Sequence, residues 1–116
     1  MANSNRQRGD YFERQTRDAL RAHGWVVVRA AGSLGPADIV ALRGDKKPLL
    51  VSCKVTRRDE RPRISPAERL ALVEAAEQAG ARALLACRSV GGWVDLYAVR
   101  IAPTLIRVDR LKVPAR

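Results

Sequence analysis

Early in the chain the non-charged positions fall at helical spacing. Phe12, Thr16, Ala19, Leu20 and His23 recur every three or four residues, with Arg14, Arg17, Asp18 and Arg21 between them. This predicts an amphipathic helix over 10–23, stopped at Gly24. The pattern then changes. Trp25-Val26-Val27-Val28-Arg29 is rich in β-branched residues and reads as a strand, and Ala31-Gly32-Ser33-Leu34-Gly35-Pro36 breaks it with a loop. A second strand is expected over 38–42, a turn over 43–47 and a third strand over 49–55. A charged stretch, Thr56-Arg57-Arg58-Asp59-Glu60-Arg61-Pro62-Arg63, follows. Ser65-Pro66-Ala67-Glu68 then has the signature of a helix start: Ser at the N-cap, Pro at the first position and Glu at the third. That second helix runs through Leu70, Val73 and Ala76, expected on its apolar side, to Gly80. Strands are expected over 83–87 and 93–101, separated by a turn at Gly91-Gly92. Beyond residue 103, Leu105, Ile106, Val108, Leu111 and Val113 alternate irregularly with basic residues. Three readings stay open for this extension: an added strand, an interface or a fraying tail.

The resulting order, α-β-β-β-α-β-β, describes one α/β domain over 1–116, a mixed central β-sheet with a helix on each face. Residues 1–8 read as a basic arm and 103–116 as a C-terminal extension. At 116 residues the chain can bury roughly two-thirds of its unfolded surface, enough for a core without staples. No apolar run approaches the ~20 residues of a membrane span, and the polar start MANSNRQRGD is unlike a secretory signal. Cys53 and Cys87 lie in apolar stretches without a CxxC spacing, which argues against both a disulfide framework and a zinc site. The expectation is an intracellular protein, cytoplasmic or nucleoid-associated, with no membrane partner.

Charge narrows the partners. The formal charge is +10, and of 22 basic residues four are Lys, leaving 18 Arg. A small domain this basic points to a polyanion, and nucleic acid is the commonest. Arg favours forked phosphate contacts, although a surface rich in Arg for compositional reasons would show the same count.

Three polar residues invite chemistry. In the third strand Leu49, Val51, Cys53 and Val55 share one face, and Leu50, Ser52 and Lys54 the other. Lys54 is either a strand-end residue reaching water or a cation beside a phosphate. Asp38, just after the Gly/Pro loop, either caps that loop or faces Lys54 from the neighbouring strand. Glu13 either closes a capping box with Asp10 or points from the first helix towards the sheet as a ligand. His23, at a helix C-terminus, suits capping better than general-base work.

Taken in order, Arg8-Gly9, Glu13-Arg14, the run His23 to Ser33, Asp38-Ile39-Val40-Ala41 and Val51-Ser52-Cys53-Lys54-Val55 resemble the archaeal-type Holliday junction resolvases of the PD-(D/E)xK nuclease superfamily. The likeness spans about residues 6–100. It implies a restriction-endonuclease-like core and a structure-selective endonuclease that cuts four-way DNA junctions. It also implies a symmetric homodimer whose two sites make paired nicks, branched double-stranded DNA as the partner, and no small-molecule substrate. By the same resemblance Glu13 is the helix acid, Asp38 the metal-binding acid, Ser33 the loop serine near the scissile phosphate and Lys54 the lysine of the ExK element. The implied metal ligands are Glu13, Asp38 and the backbone carbonyl of Cys53. Mg²⁺ is the implied cofactor, with Mn²⁺ able to substitute.

Ser52 departs from the pattern, because most members place Glu there. It leaves a working site completed by Ser52 and water, a carboxylate recruited from elsewhere, or a DNA-binding relative that does not cut. A related nuclease acting on linear duplex, flap or single-stranded DNA would use the same residues.

The chemistry suits the residue types. A hydroxide attacking an anionic phosphodiester is repelled, and Mg²⁺ both acidifies water and offsets the developing charge. Mg²⁺ prefers oxygen ligands and keeps several waters, so a sparse set can serve it. Lys54 would orient water and stabilise the equatorial oxygens. Arg6, Arg8, Arg14 and Arg29 lie near this site in sequence and are expected to clamp phosphates. Arg57, Arg58, Arg61 and Arg63 follow the third strand and are expected along a duplex arm, with Asp59 and Glu60 partly offsetting them.

Overall fold

A computed structural model describes residues 2–30, 35–55 and 62–115, with residues 2–7 described by their backbone alone. The first helix, α1, spans Ala2–Ala22. It therefore begins well before the expected start at residue 10, and residues 2–8, expected as an arm, continue it. No proline interrupts this stretch, so the backbone ladder propagates through it. The proposed Asp10–Glu13 capping box is thereby ruled out, since both residues lie inside the helix. Phe12, Thr16, Ala19 and Leu20 are fully buried on one face, following the predicted spacing. The helix ends in a Schellman arrangement: Trp25 N–H donates to Leu20 O at 3.1 Å and Gly24 N–H to Arg21 O at 3.0 Å. Gly24 sits at φ 91°, a conformation only glycine adopts without strain.

Six strands follow in chain order across one sheet: β1 (Val26–Arg29), β2 (Ile39–Arg43), β3 (Lys46–Lys54), β4 (Arg82–Ser89), β5 (Trp93–Ala98) and β6 (Ile106–Lys112). The helix α2 (Pro66–Ala79) connects β3 to β4. That pair is parallel, as a crossover helix requires, and the other four pairings are antiparallel. The sheet is thus mixed, as the sequence predicts. Of the three readings of the C-terminal extension, the structure selects the added strand. In β6 only Leu111 is buried, while Ile106 and Val108 stay exposed, which explains why its pattern carried no clear alternation.

Each face of the sheet has its own core. Ile39, Ala41, Val51, Leu84, Ala86 and Leu96 pack with α1 on one side. Leu72 and Val73 of α2 pack with Leu85, Cys87 and Leu50 on the other, while Leu70, expected on the apolar side, is exposed and Leu72 takes its place. Burying a Leu, Ile or Phe side chain contributes about 1.5–3 kcal/mol, so both faces hold β3 and β4 at the centre. The consequence for function is positional. The C-terminal end of β3 emerges between the two layers, within reach of both helices.

Candidate active site at the end of the third strand

Alternation along β3 assigns the side chains. Val51 and Cys53 face the α1 layer, Leu50 faces the α2 layer, and Ser52 is only 5% exposed. Lys54 ends the strand and lies in register with Cys87 of the parallel neighbour β4.

Asp38 is held where β1, β2 and β3 meet. Its N–H donates to Val51 O at 2.8 Å, and its carbonyl accepts from Ala30 N–H at 2.9 Å. Its side-chain Oδ2 accepts the backbone N–H of Cys53 at 2.7 Å. A carboxylate oxygen thus replaces a backbone carbonyl in the β2–β3 ladder, one residue before Lys54. Charge-assisted bonds of this kind are about twice as strong as neutral ones, so the carboxylate's position is well defined.

Glu13 projects from α1 and accepts from Arg29 Nε at 2.9 Å. Arg29 also reaches Asp10 at 3.8 Å. Asp38 is bonded to the Cys53 amide, and both proposed acids act electrostatically on the Cys53 thiol. Burial pushes that thiol far above the usual range, the negative charges of Asp38 and Glu13 push it further, and a hydrogen bond with Thr16 opposes them. Asp38 and Glu13 are therefore brought into one electrostatic neighbourhood. Lys54 leaves β3 on the alternate side and ion-pairs with Glu68, in the first turn of α2. That bond is the main reason the Glu68 carboxyl is held below its ordinary value.

Sequence reasoning assigned Glu68 only to the helix cap. The missed signal is topological. In a strand–helix–parallel strand unit the helix starts at the end where the first strand stops, so a first-turn carboxylate lands beside a strand-end lysine. The cap itself is as predicted: Ser65 Oγ accepts the Glu68 N–H at 3.1 Å. A separate cleft of roughly 630 Å³ is lined among others by Tyr11, Cys87, Arg88, Trp93 and Asp95, and by none of Asp38, Glu13, Lys54 and Glu68. Within it Asp95 is almost fully buried and accepts from both Arg110 Nε, at 2.7 Å, and Arg110 Nη2, at 3.4 Å. Neither Arg88 nor Arg110 was singled out by sequence.

Among the basic candidates, Arg8, Arg14 and Arg63 are exposed, and Arg29 is half-exposed while bonded to Glu13. Ser33, Arg57, Arg58, Arg61 and the Arg6 side chain lie outside the described residues. His23 Nδ1 contacts Ala19 O at 2.8 Å, the local capping role expected of it. Among the described residues no three His, Cys, Asp or Glu side chains form a ready-made metal cluster. Among the described residues no helix is long and apolar enough to cross a membrane.

Comparison with known proteins bears on the family and the fold. The family model described as archaeal Holliday junction resolvase (Hjc) matches residues 4–110. No curated protein matches the chain. Among solved structures the chain is similar to Archaeoglobus fulgidus Hjc, a Holliday junction resolvase from an archaeal hyperthermophile. The two share 28% identity and a TM-score of 0.71 over 87% of this chain and 88% of that one. The restriction-endonuclease-like core, the order of its elements and a family match over nearly the whole length lead to one conclusion: the chain belongs to the archaeal Holliday junction resolvase family.

Proposed function

We propose that this chain is a metal-dependent endonuclease that binds four-way DNA junctions as a homodimer and resolves them by paired phosphodiester hydrolysis. The observation that carries the reading is the Asp38 carboxylate fixed on the amide of Cys53, the residue before Lys54, in a strongly basic chain of this family. The donor set suits a hard divalent cation. Asp38 has acceptor capacity beyond its one bond to the amide, the Cys53 carbonyl is a further oxygen, and Glu13 stands close enough to act on the same thiol. Asp38 and the Cys53 carbonyl would hold Mg²⁺, with Glu13 acting through water. When bound, Mg²⁺ would supply a more acidic water and a positive centre for the charge that develops on phosphorus oxygens.

The remaining work falls to the chain. Lys54 presents an ammonium that orients the attacking water and stabilises equatorial phosphate oxygens. Arg8 and Arg14, exposed on α1, supply phosphate contacts that set position without reading sequence. Exposed Val26 and Val28 on β1, and Ile106 and Val108 on β6, are apolar surface available to a second copy.

A second reading, a junction-binding protein that does not cut, is favoured by Ser52 at the position where a carboxylate is expected. One experiment separates them. Labelled four-way junction and linear duplex are incubated with the protein and Mg²⁺ or EDTA. Paired symmetric nicks, on the junction only and with Mg²⁺ only, support the proposal. Tight junction binding without nicks supports the second reading.

A further inference from the structure

Three features stand outside the mechanism just described: the cleft around Asp95, the exposed valines of the sheet edges and the Glu68–Lys54 pair. Nothing shows what fills the first, and the second is the self-association surface already proposed. The third addresses the missing carboxylate.

Positions 52 and 54 of β3 share a face, so a glutamate at 52 would stand beside the lysine at 54. Here position 52 carries a buried serine. A carboxylate nevertheless meets Lys54, and it comes from α2: Glu68 Oε2 accepts from Lys54 Nζ. The other oxygen, Oε1, accepts from Ser65 Oγ at 3.1 Å. Ser65 in turn is the helix N-cap, so the carboxylate is anchored to the rigid start of a helix. We infer that Glu68 is the positioning residue for Lys54, supplying from the helix the carboxylate partner that the strand does not.

The physical need is specific. A lysine ammonium is a point charge on a flexible four-carbon stem and must be held if it is to meet a phosphate in one geometry. Lys54 and Glu68 are both substantially solvent-exposed, 36% and 47% at their side chains. An exposed ion pair of that kind adds little to stability, so its removal should be felt in turnover far more than in folding. Misplacing a reacting group by about 1 Å can cost about 100-fold in rate.

This inference rests on the proposed nuclease activity, and the test keeps the two apart. The wild type, E68Q, S52E and S52E/E68Q are compared on a labelled four-way junction in Mg²⁺. Junction affinity is measured separately in EDTA, together with the melting temperature. Gln keeps the helix cap and removes the charge. The expected result is a kcat for E68Q lower by about 100-fold, with KM, junction affinity and melting temperature near those of the wild type. S52E/E68Q should regain most of the lost turnover. Wild-type turnover in E68Q overturns the inference, as does a loss of kcat matched by losses of affinity and melting temperature. A double variant that stays slow while S52E alone is active also overturns it. A wild type that binds the junction without nicking it removes the proposed function and the inference with it.

Discussion

The Asp38 carboxylate is a member of the β2–β3 ladder: its Oδ2 accepts the Cys53 amide at 2.7 Å, in a place where a main-chain carbonyl would ordinarily sit. The same bond fixes the acid relative to Lys54, because the amide and the lysine are one residue apart. Asp38→Asn keeps an acceptor oxygen and removes the charge, so it should fold, bind junction and fail to cut. Asp38→Ala leaves the amide without its partner and should also destabilise the domain by about 1.5–3 kcal/mol. Urea melts of both variants beside the junction assay check this, and an Asn variant that cuts at the wild-type rate would remove Asp38 from the mechanism.

Lys54 contributes one charge, placed at the reaction rather than along the DNA. Lys54→Ala should reduce cleavage by about 10²–10³-fold, the scale of losing one preorganised stabilising donor. Junction affinity should change by only a few-fold. Single-turnover cleavage and gel-shift titrations measure the two effects separately.

Arg14 is exposed on α1, one residue beyond Glu13. If it neutralises one phosphate, Arg14→Ala should lower the slope of log K against log salt by about 0.9 and weaken all junction sequences alike. An unchanged slope would show that Arg14 faces away from DNA.

Both thiols are poor nucleophiles in the fold. Burial pushes Cys87 up to about 12, with the charge of Asp95 adding to the effect and Lys54 opposing it. Cys53 is raised further, by burial first and then by Asp38. The thiolate is the reactive species. Alkylation by iodoacetamide near neutral pH should therefore be far slower in the native protein than in the urea-unfolded chain. Equal rates in the two states would contradict the packing described.

Much of the arrangement was legible before folding. The spacing of Phe12, Thr16, Ala19 and Leu20 specified which face of α1 is buried, because a 3.6-residue repeat has only one way to gather those side chains. The two-residue alternation of β3 placed Cys53 and Lys54 on opposite faces, and Ser65 with Glu68 marked the start of α2. Asp38, Glu13 and Lys54 were recognisable as candidates from their order and setting along the chain.

Partners were not legible, because a partner is a relationship across the fold. Chain pattern could not say that Glu13 engages Arg29, that the Cys53 amide engages Asp38, or that Lys54 engages Glu68. Those contacts depend on a parallel β3–β4 pairing that brings the start of α2 to the end of β3, and on α1 lying over the opposite face. Likewise β6 joins the sheet mainly through its backbone pairing with β5, and backbone hydrogen bonds leave almost no trace in side-chain periodicity. Local pattern determined the elements and their buried faces, since these follow from repeats of two and 3.6 residues. Tertiary structure decided which charges meet, since residues distant in sequence become neighbours only when the layers close.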